Sequence, residues 1–293
     1  MKSAPTVQPG TLYIVATPIG NLEDMSFRAV RILQSVDLIA AEDTRHTGKL
    51  LQHFQIDTPQ LSFFSHNTQQ RLPELLQRLQ QRQAIALVTD AGMPTIADPG
   101  YELVCACVAA EIPVVPIPGA NAALTALSAA GLPTGRFVFE GFLPTKGQER
   151  RDRLEALSRE TRTIVLYEAP HRLLQTLTDL LPICTGDRPV VAARELTKMH
   201  EQFWRGTLAE AIAHYTQTEP KGEFTLVIAG AEIELPTFSP EALKIALTEL
   251  LQQGLSRSQA SRQLAEQTQL SRREIYQLAL TLPGDNLTDF SSD

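Results

Sequence analysis

Along the first half of the chain, short unbroken apolar runs alternate with stretches in which apolar residues recur at helical spacing. Residues 11–17, Thr-Leu-Tyr-Ile-Val-Ala-Thr, are rich in β-branched and aromatic side chains and predict a buried first strand. Residues 24–36 carry Phe27, Val30, Ile32, Leu33 and Val36 close to a helical repeat. The same pattern predicts strands at 37–43, 60–65, 84–88 and 114–117. Between them fall helices at about 46–55, over Leu72, Leu75, Leu76 and Leu79, at 99–110, and, in small residues, at roughly 119–130. Such alternation is the signature of an α/β fold with a mainly parallel sheet.

Gly131-Leu132-Pro133-Thr134-Gly135 is the best boundary between domains. Beyond it the pattern predicts strands at 137–142, 162–168, 189–195, 202–206 and 224–229, with helices at about 147–160 and 171–181. The later strands lack long crossovers, so this half is expected to form a mixed sheet. From Ser239 the chain reads as purely helical. Ser239-Pro240-Glu241 gives an N-cap, a first-turn proline and a first-turn acid. Ser256-Arg257-Ser258-Gln259 and Ser271-Arg272-Arg273-Glu274 both fit a capping box, and Gly254 ends the first helix. Three short helices would make a unit like a helix-turn-helix. It would either contact nucleic acid through Arg257, Arg262, Arg272 and Arg273, or serve as a stabilising or dimer-packing appendage. The expected division is therefore a parallel α/β domain over 1–131, a second, mixed-sheet α/β domain over 132–235 and a helical unit over 236–293.

The length of 293 residues suits two domains of about 100–150 residues plus a small appendage. A hydrophobic fraction of 43% excludes wholesale disorder. No apolar run approaches the ~20 residues needed to cross a bilayer. Met1-Lys2-Ser3-Ala4-Pro5 lacks the apolar core of a signal peptide, so a cytoplasmic location is expected. The net charge of −7 argues against a protein that coats bare nucleic acid, while leaving room for a local basic surface. Cys105, Cys107 and Cys184 read as small buried hydrophobes, and no His or Cys has metal-ligand spacing, so no metal is expected.

Six predicted strands run straight into unusual loops: Thr17-Pro18-Ile19-Gly20-Asn21, Glu42-Asp43-Thr44-Arg45, Asp90-Ala91-Gly92-Met93-Pro94, Pro118-Gly119-Ala120-Asn121, Tyr167-Glu168-Ala169-Pro170-His171-Arg172 and Arg194-Glu195-Leu196-Thr197-Lys198. Open α/β sheets bind ligands at the carboxyl ends of their strands. The loops contain no P-loop, no dinucleotide glycine fingerprint and no nucleophile elbow. What they offer suits a small polar ligand held largely by backbone. Gly92, Gly100 and Gly119 allow close approach, Pro94, Pro99 and Pro118 stiffen the turns, and Asp90 and Asn121 supply polar handles. The helix opened by Pro118-Gly119 could point its first NH groups at a carboxylate.

Several longer runs carry a resemblance. They include Val15-Ala16-Thr17-Pro18-Ile19-Gly20-Asn21-Leu22, Ala40-Ala41-Glu42-Asp43-Thr44-Arg45-His46-Thr47-Gly48, Asp90-Ala91-Gly92, Asp98-Pro99-Gly100, Glu140-Gly141-Phe142-Leu143-Pro144 and Ala193-Arg194-Glu195-Leu196-Thr197-Lys198. With them the chain resembles the small-subunit ribosomal RNA methyltransferase I family, of tetrapyrrole-methylase type, across residues 11–293. The resemblance implies two α/β domains with S-adenosylmethionine in the cleft between them. It also implies 2′-O-methylation of a cytidine ribose in the decoding region of 16S ribosomal RNA, within the 30S subunit, by a homodimer. Carried over by position, it implies that Pro18, Asp90, Ala91, Gly92, Thr95 and Ala97 touch the cofactor. Asn121 and Ala122 would follow from the Pro-Gly helix start, and Glu168, Leu196 and Thr225 would close the cleft from the second domain. The first and third loops lack the glycine-richer and Gly-Asp-Pro patterns of tetrapyrrole C-methylating relatives, and Met93 stands where threonine is expected.

Methyl transfer to a ribose hydroxyl is an in-line displacement in which the protein supplies alignment. A base that takes the hydroxyl proton would help by ~10²–10⁴-fold. The candidates are Asp43, Asp90, Glu168, Glu195 and His171. Asp43 is singled out because Thr44 and Arg45 lie beside it, although a carboxylate there also fits a helix cap. Arg45, Arg172 and Lys198 are expected to hold phosphate, since arginine does not deprotonate in proteins. Arg150, Arg151 and Arg153 are largely offset by Glu149, Asp152 and Glu155 and read as a solvated helix face. A small-molecule methyltransferase and a non-catalytic RNA-binding assembly factor are the alternatives, separable by substrate and by S-adenosylmethionine binding.

Overall fold

The computed structural model describes residues 7–232, 239–268 and 270–282. Residues 1–5, read above for a targeting signal, and the boundary at 235/236 lie outside the described residues. Strand β1 (Leu12–Val15) leads to helix α1 (Phe27–Ser35), β2 (Leu38–Ala41), α2 (Thr44–His53), β3 (Gln60–Ser62), α3 (Thr68–Gln80), β4 (Ile85–Val88), α4 (Tyr101–Ala109), β5 (Val114–Ile117) and α5 (Ala122–Ala130). The strands pair in parallel in the order β3-β2-β4-β1-β5.

Side chains alternate across a strand, and here both faces are apolar. Tyr13, Val15, Ile39 and Val88 pack under Ile32, Leu33 and Leu51. Leu12, Ile14, Leu38 and Leu87 face Leu75, Leu79 and Leu103. Phe27 departs from its predicted place in this core and is 96% exposed. The buried stripe of α1 is Ala29, Ile32 and Leu33, and at about 3.6 residues per turn Phe27 sits on the opposite side. At one edge, β5 carries the exposed Pro116.

The chain continues through β6 (Phe137–Phe142), α6 (Gly147–Ser158), β7 (Thr163–Glu168), α7 (Pro170–Leu180), β8 (Pro189–Arg194), β9 (Gln202–Thr207), α8 (Leu208–Gln217) and β10 (Phe224–Ile228). The second sheet has the order β6-β7-β10-β8-β9, with β6 and β7 parallel and the other pairs antiparallel. It is the mixed sheet expected. Helix α8 was not predicted, although Thr207 and Glu210 form a complete capping box in front of its buried Leu208, Ala211 and Tyr215. A bulge between Phe139 and Gly141 shifts the register of edge strand β6.

Helix α5 joins the two sheets. Its Ala123, Ala126, Leu127 and Ala130 pack on Val165, Val191, Ala193 and Val227 of the second sheet, with Ile19 from the loop after β1 in the same cluster. The chain accordingly falls into two compact units, Met1–Ala231 and Glu232–Asp293. Cys107 and Cys184 are buried as expected, but Cys105 is exposed, because it lies on the outer side of α4.

The second unit contains α9 (Pro240–Gln252), α10 (Arg257–Thr268) and α11 (Arg272–Leu280) around Leu247, Leu250, Ala260, Leu264, Ile275 and Ala279. Ser239 caps α9, and Gly254 follows its last turn with a φ of +87°. The Ser256–Gln259 capping box forms. The one at Ser271 does not, as its side chain accepts no hydrogen bond from the helix. Arg257 donates to the Leu282 carbonyl, Arg262 to Glu266 and Arg272 to Ser258, so three of the four arginines serve the unit's own packing. No helix among the described residues is long and apolar enough to cross a membrane.

Candidate active site

The loops after β1, β2 and β4 meet at the carboxyl edge of the first sheet. Thr17 and Gly92 exchange two backbone hydrogen bonds, of 2.9 and 3.1 Å, and the Thr17 hydroxyl donates to the Thr89 carbonyl at 3.0 Å. Gly92 holds a φ of +93°, which suits glycine. The register that sets Ala41 beside Val88 carries Glu42 alongside Thr89. The Thr89 hydroxyl donates to Glu42 Oε2 at 2.5 Å, and the Asp90 amide donates to the same oxygen at 3.2 Å.

A cavity of about 370 Å³ opens between this edge and the second sheet. From the first sheet come Ile19, Glu42, Asp90, Ala91, Gly92, Ala97 and Asp98, and from the start of α5 come Asn121 and Ala122. The second sheet gives Phe142, Tyr167, Glu168, Phe224 and Thr225. Thr95 and Ala97 sit at φ values of +74° and +64°. Such strain in non-glycine residues is held only where the surroundings over-determine it. Burial and the nearby Glu42 push the Asp98 carboxyl up to about 7. Burial and Glu42 also raise Asp90 above its ordinary value. Glu168, 2% exposed, accepts from the Thr176 hydroxyl at 2.6 Å and from the Ala169 amide at 2.9 Å, and pairs with Arg172 at 3.3 Å. Lys, Arg and His are absent from the lining.

A second cavity of about 300 Å³ adjoins the first and shares Ile19, Asp90, Ala91 and Glu223 with it. Its other walls include Pro18, Gly20, Leu22, Thr47, Leu50 and the basic His46, Lys49 and Lys198. Lys198 donates to Glu195 at 2.9 Å and to Glu223 at 2.8 Å. Burial opposes its charge, yet Glu223 and Glu195 keep its pKa above the ordinary lysine value. A Cβ on Gly20 would collide with Lys198, so only glycine lets these loops approach.

Of the residues named from sequence, Asp90, Ala91, Gly92, Ala97, Asn121, Ala122, Glu168 and Thr225 line the larger cavity. Pro18 and Lys198 line the smaller. Thr95 borders a shallow depression with Ile96, Phe139 and Phe142. Leu196 is buried in the core between α5 and the second sheet, beneath the site. Asp43 and Arg45 line neither cavity. Asp43 caps α2, accepting from the Arg45 amide at 2.8 Å, and Arg45, with its side chain 88% exposed, pairs with it at 2.6 Å. The Arg45 guanidinium and amide hold the Asp43 carboxyl well below the usual range, and its place is that of a helix cap. Arg172 also departs from its phosphate role, being turned to Glu168 and the Leu143 carbonyl. Asn121 uses its side-chain oxygen to cap α5. Asp98, Tyr167, Thr47 and Lys49 received no role from the sequence, and Glu42 only that of a ribose-binding acid in a dinucleotide fold, for which the glycines are missing. The Asp98-Pro99-Gly100 turn was a usable signal, since Gly100 at φ +125° packs against Leu87 where no side chain fits. Among the described residues, no group of three or more His, Cys, Asp or Glu could hold a metal ion.

A family profile described as Tetrapyrrole (Corrin/Porphyrin) Methylases matches residues 11–212, and one described as RsmI C-terminal HTH domain matches residues 239–283. The Ribosomal RNA small subunit methyltransferase I of Synechocystis sp. is 63% identical over 94% of this chain and 99% of its own length. Its namesake from Escherichia coli O157:H7 is 48% identical over 94% of this chain and 96% of its own. Among solved structures, uroporphyrin-III C-methyltransferase from Thermus thermophilus, complexed with S-adenyl homocysteine, is similar with a TM-score of 0.55. That likeness covers 75% of this chain and 97% of the other at 17% identity, which speaks for the fold alone. Profile and relatives agree over most of its length, and the chain belongs to the ribosomal RNA small subunit methyltransferase I family, built on the tetrapyrrole-methylase fold.

Proposed function

We propose that the larger cavity holds S-adenosylmethionine and that the chain transfers its methyl group to the ribose 2′-oxygen of a cytidine in the decoding region of 16S ribosomal RNA. The observation that carries this reading is the cavity's charge. Glu42, Asp90, Asp98 and Glu168 stand on a wall without a cation, which suits a ligand bearing a sulfonium and an ammonium group. Gly92 keeps the backbone open to a close approach, and Asn121 and Thr225 add polar contacts. Bound there, the cofactor supplies an electrophilic methyl group.

The remaining work belongs to the chain. Its loops would hold the two reactants in adjoining cavities, where the methyl group and the acceptor oxygen can be brought into line. Asp90 lies on the wall common to both cavities, and its raised pKa makes it the better proton acceptor for the ribose hydroxyl. We place the reaction on the assembled 30S subunit in the cytoplasm. We also infer a homodimer, which would extend the RNA-facing surface of an acidic chain.

Labelled methyl transfer to 30S subunits that lack the modification tests the reading, and 2′-O-methylcytidine is the expected product. Label on a porphyrinoid and none on RNA would overturn it. Gly92→Arg is expected to abolish S-adenosylmethionine binding in calorimetry while the protein remains folded, because the side chain would fill the cavity.

A further inference from the structure

We infer that the smaller cavity is the seat of the acceptor ribonucleotide, with Lys49 and Lys198 holding its phosphates and the Thr47 hydroxyl meeting its polar edge. This rests on the cofactor reading above. Charge differs between the two cavities: the only charged groups on the larger are carboxylates, while the smaller adds His46, Lys49 and Lys198 to the Asp90 and Glu223 that it shares with its neighbour. A sulfonium and a phosphodiester have opposite needs, and of the two compartments only the smaller offers cations.

Three observations on α2 and its neighbours point to a ligand. Thr47 is 2% exposed, and its hydroxyl is buried without a hydrogen-bond partner among the described residues. An unmet buried hydroxyl is costly to leave without a partner, and a bound ligand would offset that cost. Lys49 makes no ion pair among the described residues, in a chain whose net charge is −7. Lys198, by contrast, is steadied by Glu195 and Glu223 and so holds a fixed position at the mouth. The apolar Pro18, Leu22 and Leu50 offer a surface for the flat face of a pyrimidine. Asp90 on the common wall then stands between the ribose and the methyl donor.

The test compares wild type, Lys49→Glu, Lys49→Ala and Thr47→Val. It measures filter binding of unmethylated 30S subunits without cofactor, methyl transfer, and S-adenosylmethionine affinity by calorimetry. Lys49→Glu is expected to raise the 30S KM about tenfold, and Lys49→Ala to reduce the salt dependence of binding by about 0.7 in the log–log slope. Thr47→Val should raise the 30S Kd several-fold while its melting temperature stays level or rises, a combination that a purely structural threonine would not give. Cofactor affinity should stay within twofold throughout. Wild-type 30S binding and KM in Lys49→Glu and Thr47→Val would overturn the seat and leave the function standing. Loss of RNA methylation by the wild type itself would remove both.

Discussion

Asp98 shows how a single side chain links the cavity to pH. An aspartate carboxyl, whose ordinary value is 3.8, is pushed here to about 7 by burial and by Glu42. Between those values the folded state holds a proton that the unfolded chain has released, so stability falls as pH rises from about 4 to about 7. Above the folded value the cost is present in full. Asp98→Asn is therefore expected to melt higher than wild type at about pH 8, by an amount on the order of 1–2 kcal/mol after solvent screening, and to match it near pH 4. A cationic ligand reverses the preference, since it favours the ionised carboxylate. Cofactor affinity of the wild type should accordingly rise between about pH 6 and pH 8, and that rise should vanish in Asp98→Asn. Calorimetry over this range checks it, and a flat wild-type profile would refute it. The sequence pointed to the loop but not to this residue. Beyond burial, the shift depends on the charge of Glu42, 56 positions away in the chain, which the parallel register of β2 and β4 brings to the same sheet edge.

At the scale of elements, α2 carries a structural task at its first residue and a chemical one a turn later. Asp43 caps the helix and holds Arg45, while Thr47 and Lys49 line the smaller cavity. Asp43→Ala is expected to lower the melting temperature by about 2 °C and to raise the 30S KM modestly, leaving the pH profile of kcat unchanged. A lost acid limb in that profile would restore Asp43 as the base. Here the residue types were legible in the sequence, and their division of labour was not, because a carboxylate before a helix serves equally as cap or as base. Strands were legible wherever both faces are buried, as in Leu12–Val15 and Ile85–Val88. Helix α8 was not, because its start lies directly against the end of β9 and no turn residues separate them. Phe27 misled for a related reason: apolar spacing marks a helix but does not say which residues turn inward.

At the scale of the whole molecule, the two sheets behave as one body because α5 and Ile19 share a core with the second sheet. The unit Met1–Ala231 is expected to unfold in a single calorimetric transition. Ala126, fully buried on α5, is the place to test this. Ala126→Leu should cost about 1–3 kcal/mol by overpacking and shift the whole transition down. A split into two transitions would show instead that the sheets are independent.

Two open sheets also mean four unpaired strand edges, each a template on which another chain could add a strand. Each edge is blunted differently. β3 is only three residues long, β6 is broken by its bulge, and β9 exposes Gln202 and Arg205. β5 carries Pro116, which has no amide hydrogen to offer a newcomer. Pro116 thus guards this outer edge against the addition of a foreign strand.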